Sequence, residues 1–174
     1  MNISTLVPDY VDENHPRISS LSVGLMFASY QFVFLIVTPL LGGILPKFGR
    51  RRAILCGSCL MSAATVAFAC GALFENDTAF YVTSLVARSL QGAADALILV
   101  TVPSIIAIEW PEKNAKYQSY AGISLGLGLM LGPVLATFLV RYLSYFWTLI
   151  AFAILVFVLC TTATCFIPKR IDLD

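Results

Sequence analysis

Three polar side chains within an apolar run are the strongest candidates for chemistry in this sequence. Arg88, Gln91 and Asp95 lie at positions i, i+3 and i+7, which share one face of a helix. A charged side chain at the bilayer centre costs about 2.5–3.5 kcal/mol on insertion scales, so this face must point into protein or a water-filled cavity. The pattern predicts a solute or proton pathway, with Asp95 as titratable carboxylate, Arg88 as its partner or anchor and Gln91 as a hydrogen-bonding link. The alternative is a structural ion pair that fixes this helix to a neighbour.

The composition indicates that this helix is one of several that cross a membrane. Of the 174 residues, 59% are hydrophobic and 12% are charged, and the mean hydropathy is +0.85. A soluble domain has about 45–50% apolar and about 25% charged residues, so these charges are too few to cover a water-soluble surface. The net charge of +1 gives no indication of nucleic-acid binding. We predict an all-α membrane protein.

Five apolar runs are long enough to cross a hydrocarbon core about 30 Å thick. In lipid these runs must be helical, because their backbone groups have no water to bond. They cover approximately residues 20–41, 53–74, 79–108, 117–140 and 145–167. The predicted transmembrane bundle thus occupies residues 18–168, between an exposed outer or lumenal segment, 1–17, and a cytoplasmic tail, 169–174.

The basic residues predict how the bundle is oriented. Eight lysines and arginines lie in the connections 42–52 and 109–116 and in the C-terminal tail, whereas only Arg17 and Arg141 lie on the opposite side. Because cytoplasmic loops carry an excess of Lys and Arg, we expect the first group to face the cytoplasm and the N-terminus to face outwards. The protein is then a multi-pass integral protein of the plasma membrane or of an intracellular vesicle membrane.

The fourth run carries small residues at regular intervals and an internal proline. Gly122 and Gly126 form one small-xxx-small pair, which allows two helices to approach closely. Gly128 and Gly132 form a second pair, and Pro133 follows it directly. Because proline removes a backbone hydrogen bond, we expect a bend at this point. The pattern predicts a gate that moves against a partner, or, as the alternative, tight packing alone.

No pattern in the sequence is typical of an enzyme or of a cofactor site. There is no phosphate-binding glycine loop, no cluster of metal ligands and no nucleophile paired with a base. Cys56 and Cys59 have CxxC spacing but lie in an apolar run, where small soft side chains commonly pack between helices. We predict no enzyme activity and no cofactor or metal; the expected partners are the lipid bilayer, protons and a small-molecule solute, and no nucleic acid.

Three motifs, in this order, resemble those of the major facilitator superfamily. The stretch from Gly42 to Arg52 resembles the motif G-x-L-x-D-[RK]-x-G-[RK]-[RK], found between the second and third helices of that family. The stretch from Arg88 to Gly92 is similar to R-x-x-Q-G of the fourth helix, and that from Gly128 to Pro133 resembles G-x-x-x-G-P of the fifth. Together with the sequence from Val23 to Tyr30, the combination of motifs looks most like the vesicular amine transporter family and its relatives among proton-coupled drug antiporters.

The resemblance implies helices two to six of a twelve-helix transporter, a partial N-terminal bundle without helix one and the C-terminal half. The odd number of apolar runs also leads us to expect a further segment before residue 1. The implied residues belong to a cytoplasmic gate (Gly42, Gly49, Arg50 and Arg51), to proton coupling (Arg88 and Gln91) and to a helix bend that favours exchange (Gly128, Gly132 and Pro133).

Two functions are consistent with these observations. The first is a transporter, present here in part, that moves a small organic solute, an organic cation or amine, by proton-coupled alternating access. The second is a truncated relative that does not transport and acts as a structural or regulatory membrane subunit. The second is favoured by Pro46, which occupies the acidic position of the gate motif.

Overall fold

The computed structural model describes Val11, residues 19–74 and residues 76–166 of the chain. Within these residues nearly every position is helical and there is no strand, which confirms the prediction of an all-α protein. Apart from Val11, the predicted outer segment 1–17 lies outside the described residues. The predicted cytoplasmic tail, 169–174, also lies outside them.

Five long helices make up the described part of the chain. All five are long and apolar enough to cross a membrane, so the prediction of five transmembrane helices is confirmed. A short 3-10 helix, Pro111–Lys113, precedes the fourth. The five are α1 (Ser20–Phe48), α2 (Arg50–Gly71), α3 (Asp77–Glu109), α4 (Asn114–Tyr142) and α5 (Tyr145–Phe166).

Two of the helices begin at side-chain caps. The Ser19 hydroxyl accepts a hydrogen bond from the Ser22 amide at 3.3 Å, at the start of α1. The Asn76 side-chain carbonyl accepts one from the Thr78 amide at 3.0 Å, at the start of α3. Each cap satisfies an amide that has no partner within its helix, which places the helix start at a polar residue beside the apolar run.

The connection between α1 and α2 is much shorter than predicted. Instead of a loop over 42–52, α1 continues through Pro46 to Phe48, and Gly49 alone separates it from Arg50. Gly49 has φ 91° and ψ 131°, a conformation that a side chain disfavours. Its amide donates to Leu45 at 3.1 Å and its carbonyl accepts from Ala53 at 3.0 Å. One glycine thus ends one helix and starts the next.

Helix α3 is the central element of the bundle. It packs along its length against both α1 and α2, whereas α1 and α2 contact each other little, and α2 also packs against α5. A Cβ added to Gly57 of α2 would lie 3.1 Å from Leu97 and 3.2 Å from the Ala94 carbonyl of α3. Helix α4 packs only sparsely on the others, and Gly132 and Ala136 are its buried residues.

A cluster of buried apolar side chains closes one end of the bundle. Phe68, Phe80 and Leu149 are fully buried there, and they join α2, α3 and α5. Val11 belongs to the same cluster and is 1% exposed. The expectation that segment 1–17 is exposed is therefore wrong at Val11, because this side chain gains more from apolar contact than from water.

Candidate functional site

The polar face of α3 is turned into the protein rather than outwards. Arg88 is 3% exposed and Gln91 is 1% exposed, while Asp95 is half-buried. All three line one cavity, as the shared helical face requires. The cost of placing such groups in hydrocarbon explains why α3 has the central position in the bundle.

Arg88 is held between two aromatic rings. Its guanidinium carbon lies 4.9 Å from the ring centre of Phe27 on α1 and 4.8 Å from that of Phe68 on α2. Its Nη1 donates a long hydrogen bond, 3.4 Å, to the Gln91 side-chain carbonyl. Within the described part of the chain, its Nη2 has no acceptor. The two cation–π contacts therefore contribute, with the bond to Gln91, to the stabilisation of this buried charge.

Gln91 connects Arg88 to helix α2. While its carbonyl accepts from Arg88, its amide nitrogen donates to the Thr65 hydroxyl at 3.0 Å. The Thr65 hydroxyl in turn donates to the Met61 backbone carbonyl at 2.8 Å. The amide of Gln91 is thus fixed in one orientation, with both of its ends used inside the bundle.

Asp95 is bonded to helix α1 and not to Arg88. The Tyr30 hydroxyl donates a hydrogen bond to Asp95 Oδ2, and the Tyr30 ring stacks on Phe34 with centroids 6.5 Å apart. The ion pair between Arg88 and Asp95 that the sequence suggested is not formed. Seven residues correspond to about 10.5 Å along a helix, too far for these two side chains to meet when each has a nearer partner.

Gly92 brings α1 close enough for this bond to form. It lies between Gln91 and Asp95 on α3 and faces the backbone of Tyr30. A Cβ at Gly92 would collide with the Tyr30 carbonyl oxygen and would lie 3.3 Å from the Tyr30 Cα. Because only glycine permits this approach, the residue sets the register between α1 and α3.

These residues surround a cavity of about 810 Å³ to which all five helices contribute. Ser124 and Gly128 of α4 form part of its wall. Aromatic side chains and aliphatic ones form most of the rest. The size and the few convergent polar groups are typical of a site for a small molecule. The aromatic wall residues are Phe27, Tyr30, Phe34 and Phe152.

The predicted gate residues lie at the junction of α1 and α2, away from this cavity. Gly49 forms the turn described above, and Arg50, 8% exposed, donates from Nε to the Ser104 hydroxyl at 2.9 Å. Arg51 is half-buried. Gly42 is exposed on α1, and a Cβ there would have nothing within 4 Å. A gate at this junction stays a prediction.

The predicted bend residues divide between the cavity and the interior. Gly128 lines the cavity, Gly132 is buried and Pro133 lies within a helix that continues to Tyr142. By contrast, Gly122 and Gly126 are exposed, and a Cβ on either would have nothing within 4 Å. The close packing expected there is absent from the described part of the chain, because small residues permit an approach without providing a partner.

Several residues that complete the site were not singled out from the sequence. Tyr30, Thr65 and the two rings around Arg88 lie on other helices, within apolar runs. A tyrosine or threonine in such a run resembles an ordinary packing residue. The usable signal was indirect: a buried Arg and Asp each require partners, and polar side chains of neighbouring spans are the candidates.

Five apolar helices around a cavity with a few polar side chains define a multi-pass integral membrane protein. The chain belongs to the Major Facilitator Superfamily, whose family model matches residues 1–172. This confirms the resemblance that the three motifs carry. The superfamily consists of transporters rather than enzymes, which agrees with the lack of any enzyme motif.

The individual relatives are also transport or resistance proteins. The synaptic vesicular amine transporter of Homo sapiens is 29% identical over 147 residues, or 82% of this chain and 27% of that protein. The vesicular acetylcholine transporter of Drosophila melanogaster is 33% identical over 115 residues, 64% of this chain and 18% of that protein. Multidrug resistance protein 1 of Bacillus subtilis is 29% identical over 157 residues, 88% of this chain and 38% of that protein. The chain thus spans about a quarter of the vesicular amine transporters. No solved structure matches it.

Proposed function

We propose that this chain forms part of a transporter that moves a small organic cation or amine by proton-coupled alternating access. One observation carries the proposal: Asp95, oriented by Tyr30, faces a cavity with an aromatic wall. An ammonium group is stabilised by a carboxylate and by aromatic faces together. The names of two relatives, which refer to an amine and to acetylcholine, support this substrate class.

Proton coupling follows in this proposal from competition for one carboxylate. Asp95 accepts either a proton or the ammonium of the solute, so protonation from one side of the membrane releases the solute. The protein then acts as an antiporter. We assign Arg88 and Gln91 to the same pathway in a supporting role: Gln91 accepts a hydrogen bond from Arg88, and the positive charge of Arg88, two helical turns from Asp95, favours the ionised carboxylate when the proton leaves.

Alternating access requires regions that open and close, and the motif residues are our candidates. We assign Gly42, Gly49, Arg50 and Arg51 to the cytoplasmic gate, where the hydrogen bond from Arg50 to Ser104 joins the start of α2 to the end of α3. We assign Gly128, Gly132 and Pro133 to a bend in the cavity wall formed by α4. The remaining helices of the transporter would complete the cavity, as expected for a chain shorter than its relatives.

Uptake into proteoliposomes tests this function. The complete protein that contains this chain is reconstituted, and uptake of radiolabelled phenethylamine is measured with and without a pH gradient. We expect uptake that depends on the gradient and is lost in Asp95→Asn. The control Glu112→Gln removes an exposed carboxylate of the 3-10 helix and should transport normally.

Two results would count against the proposal. Gradient-driven uptake that survives unchanged in Asp95→Asn would remove this residue from the solute and proton pathway. Absence of uptake by a folded wild-type protein that still binds phenethylamine would favour the alternative, a structural or regulatory subunit.

A further inference from the structure

Four cations lie around the one-residue turn between α1 and α2. The last turn of α1 contains Lys47, and α2 begins with three arginines, Arg50, Arg51 and Arg52. Arg50 is 8% exposed and donates to Ser104, and Arg51 is half-buried. Lys47 and Arg52, by contrast, are exposed, and the gate proposed above uses neither of them.

The chain places few carboxylates near these cations. Residues 18–74, which include all of α1 and α2, contain no Asp or Glu. The same end of the bundle also includes the connection from α3 to α4, which has two carboxylates, Glu109 and Glu112, and two lysines, Lys113 and Lys116. Because this connection contributes no net charge, the excess of positive charge at this end of the bundle belongs to the α1–α2 turn.

The start of α2 adds to this positive charge. The N-terminus of a helix carries a partial positive charge that acidic side chains usually offset. The first turn of α2 has no acidic residue, and its cap, Gly49, provides no side-chain acceptor. An anion beside Arg52 would therefore be stabilised by the helix end and by the cations together.

An exposed apolar face of α1 leads directly to the cation cluster. Leu40, Ile44 and Phe48 lie four residues apart, which places them on one side of the helix. They are 59%, 54% and 43% exposed, respectively. Helix α1 is long and apolar enough to cross a membrane, so the cations lie where this helix leaves the hydrocarbon. A ligand with an anionic head and apolar chains matches both the cations and the apolar face.

We propose that Lys47 and Arg52 bind the phosphate group of an anionic phospholipid, whose acyl chains pack along Leu40, Ile44 and Phe48. The lipid belongs to the leaflet that the charge distribution predicts to be cytoplasmic, where anionic lipids attract basic segments next to membrane helices. This site is separate from the cavity, and the inference does not depend on the proposed function.

Native mass spectrometry of the purified complete protein tests the inference. The protein in detergent is mixed with equal amounts of phosphatidylglycerol, which has a net negative charge, and phosphatidylcholine, which has none. Both lipids carry the same acyl chains, so only the headgroups differ. Each cation near a membrane surface contributes roughly fivefold to the binding of an anionic lipid. We expect the wild type to retain phosphatidylglycerol in preference to phosphatidylcholine.

Variants of the two exposed cations assign this preference to the turn. Lys47→Gln combined with Arg52→Gln should lower the ratio of bound phosphatidylglycerol to bound phosphatidylcholine by about fivefold or more. Lys47→Arg combined with Arg52→Lys keeps both charges and should retain the ratio. Two single controls should also retain it: Lys113→Gln removes an exposed cation at the same end, and Arg141→Gln removes one at the end of α4.

Three results would overturn the inference. The first is equal retention of the two lipids by the wild type. The second is an unchanged ratio in the double glutamine variant, when its thermal unfolding shows that it is folded. The third is displacement of phosphatidylglycerol by an equal concentration of glycerol 3-phosphate, because a soluble phosphate that competes equally makes no use of the apolar face.

Discussion

The hydroxyl of Tyr30 donates to the carboxylate of Asp95 and so joins α1 to α3 inside the cavity. The bond uses one oxygen, Oδ2; in the proposed function the other oxygen would receive the solute. Because Gly92 holds the Tyr30 backbone against α3, the orientation of the carboxylate does not depend on a bound solute. Preorganisation of this kind lowers the entropy that binding must overcome.

Replacing Tyr30 tests this bond directly. Tyr30→Phe keeps the ring and its stacking on Phe34 but leaves the carboxylate without its donor, a loss of about 1–3 kcal/mol. We expect a lower temperature of thermal unfolding, measured by circular dichroism in detergent, and weaker binding of phenethylamine. The control Tyr120→Phe alters an exposed tyrosine and should change stability by less than about 0.5 kcal/mol. Equal effects of the two variants would mean that the Tyr30 bond contributes nothing.

The close approach of Gly92 to Tyr30 predicts that a larger residue at position 92 destabilises the protein. Gly92→Ala places a methyl group against the Tyr30 carbonyl, and we expect a loss of about 1–3 kcal/mol, as for overpacked cores. Gly126→Ala is the matched control, because it adds the same group to a helix where nothing lies within 4 Å. Unfolding in detergent measures both. A Gly92→Ala protein as stable as the control would show that α1 and α3 do not need this contact.

The two hydrogen bonds of the buried Gln91 amide predict that an apolar replacement destabilises the protein. Gln91→Leu keeps a similar volume but removes the acceptor of Arg88 and the donor to Thr65. We expect a loss of about 1–3 kcal/mol in unfolding free energy, because polar groups stay buried without partners. Gln118→Leu removes a single hydrogen bond of 3.5 Å and should cost far less. If Gln91→Leu were the more stable variant, the network around Arg88 would not be stabilising.

The single-residue turn at Gly49 predicts that a side chain at this position strains the backbone and lowers stability. At φ 91° a side chain is strained, and Gly49→Ala should cost about 1–3 kcal/mol. Gly43→Ala adds the same methyl group to the interior of α1, in open space, and should be neutral or slightly stabilising. The comparison again uses thermal unfolding. Equal stability of the two variants would mean that the turn relaxes at no cost.

The charge distribution predicts the orientation of the helices in the membrane. After replacement of the five free cysteines by alanine, single cysteines are introduced as Ser144→Cys, between α4 and α5, and as Lys113→Cys, before α4. A membrane-impermeant maleimide should label Ser144→Cys in intact cells and Lys113→Cys only after permeabilisation. The reverse pattern would invert the proposed topology.

The number of helices and the polar face of α3 followed from the sequence because both are properties of single segments. An apolar run must be helical in lipid, and helical spacing alone places Arg88, Gln91 and Asp95 on one face. The partners of these side chains could not be predicted from the sequence, because Tyr30 and Thr65 belong to other helices. The register that brings them near depends on close contacts at Gly57 and Gly92, which a single sequence does not reveal.

Two further differences have local causes. The α1–α2 connection is short because α1 tolerates Pro46 and one glycine serves both helix ends; the charge cluster itself suggested a longer loop. The stripe of Gly122 and Gly126 faces open space, because a small-residue pattern indicates where a helix can be approached and not which segment approaches it.

The sparse packing of α4 has a mechanical consequence. Helices α1, α2 and α3 are connected by the turn at Gly49 and by the close contacts at Gly57 and Gly92. These three helices contain all residues of the Tyr30–Asp95 bond and of the Arg88–Gln91–Thr65 network. Helix α4 adds cavity wall and takes part in neither network. If the proposed function holds, a tilt of α4 would change the width of the cavity without breaking a hydrogen bond that orients the charged groups, so access and recognition would belong to different parts of the same bundle.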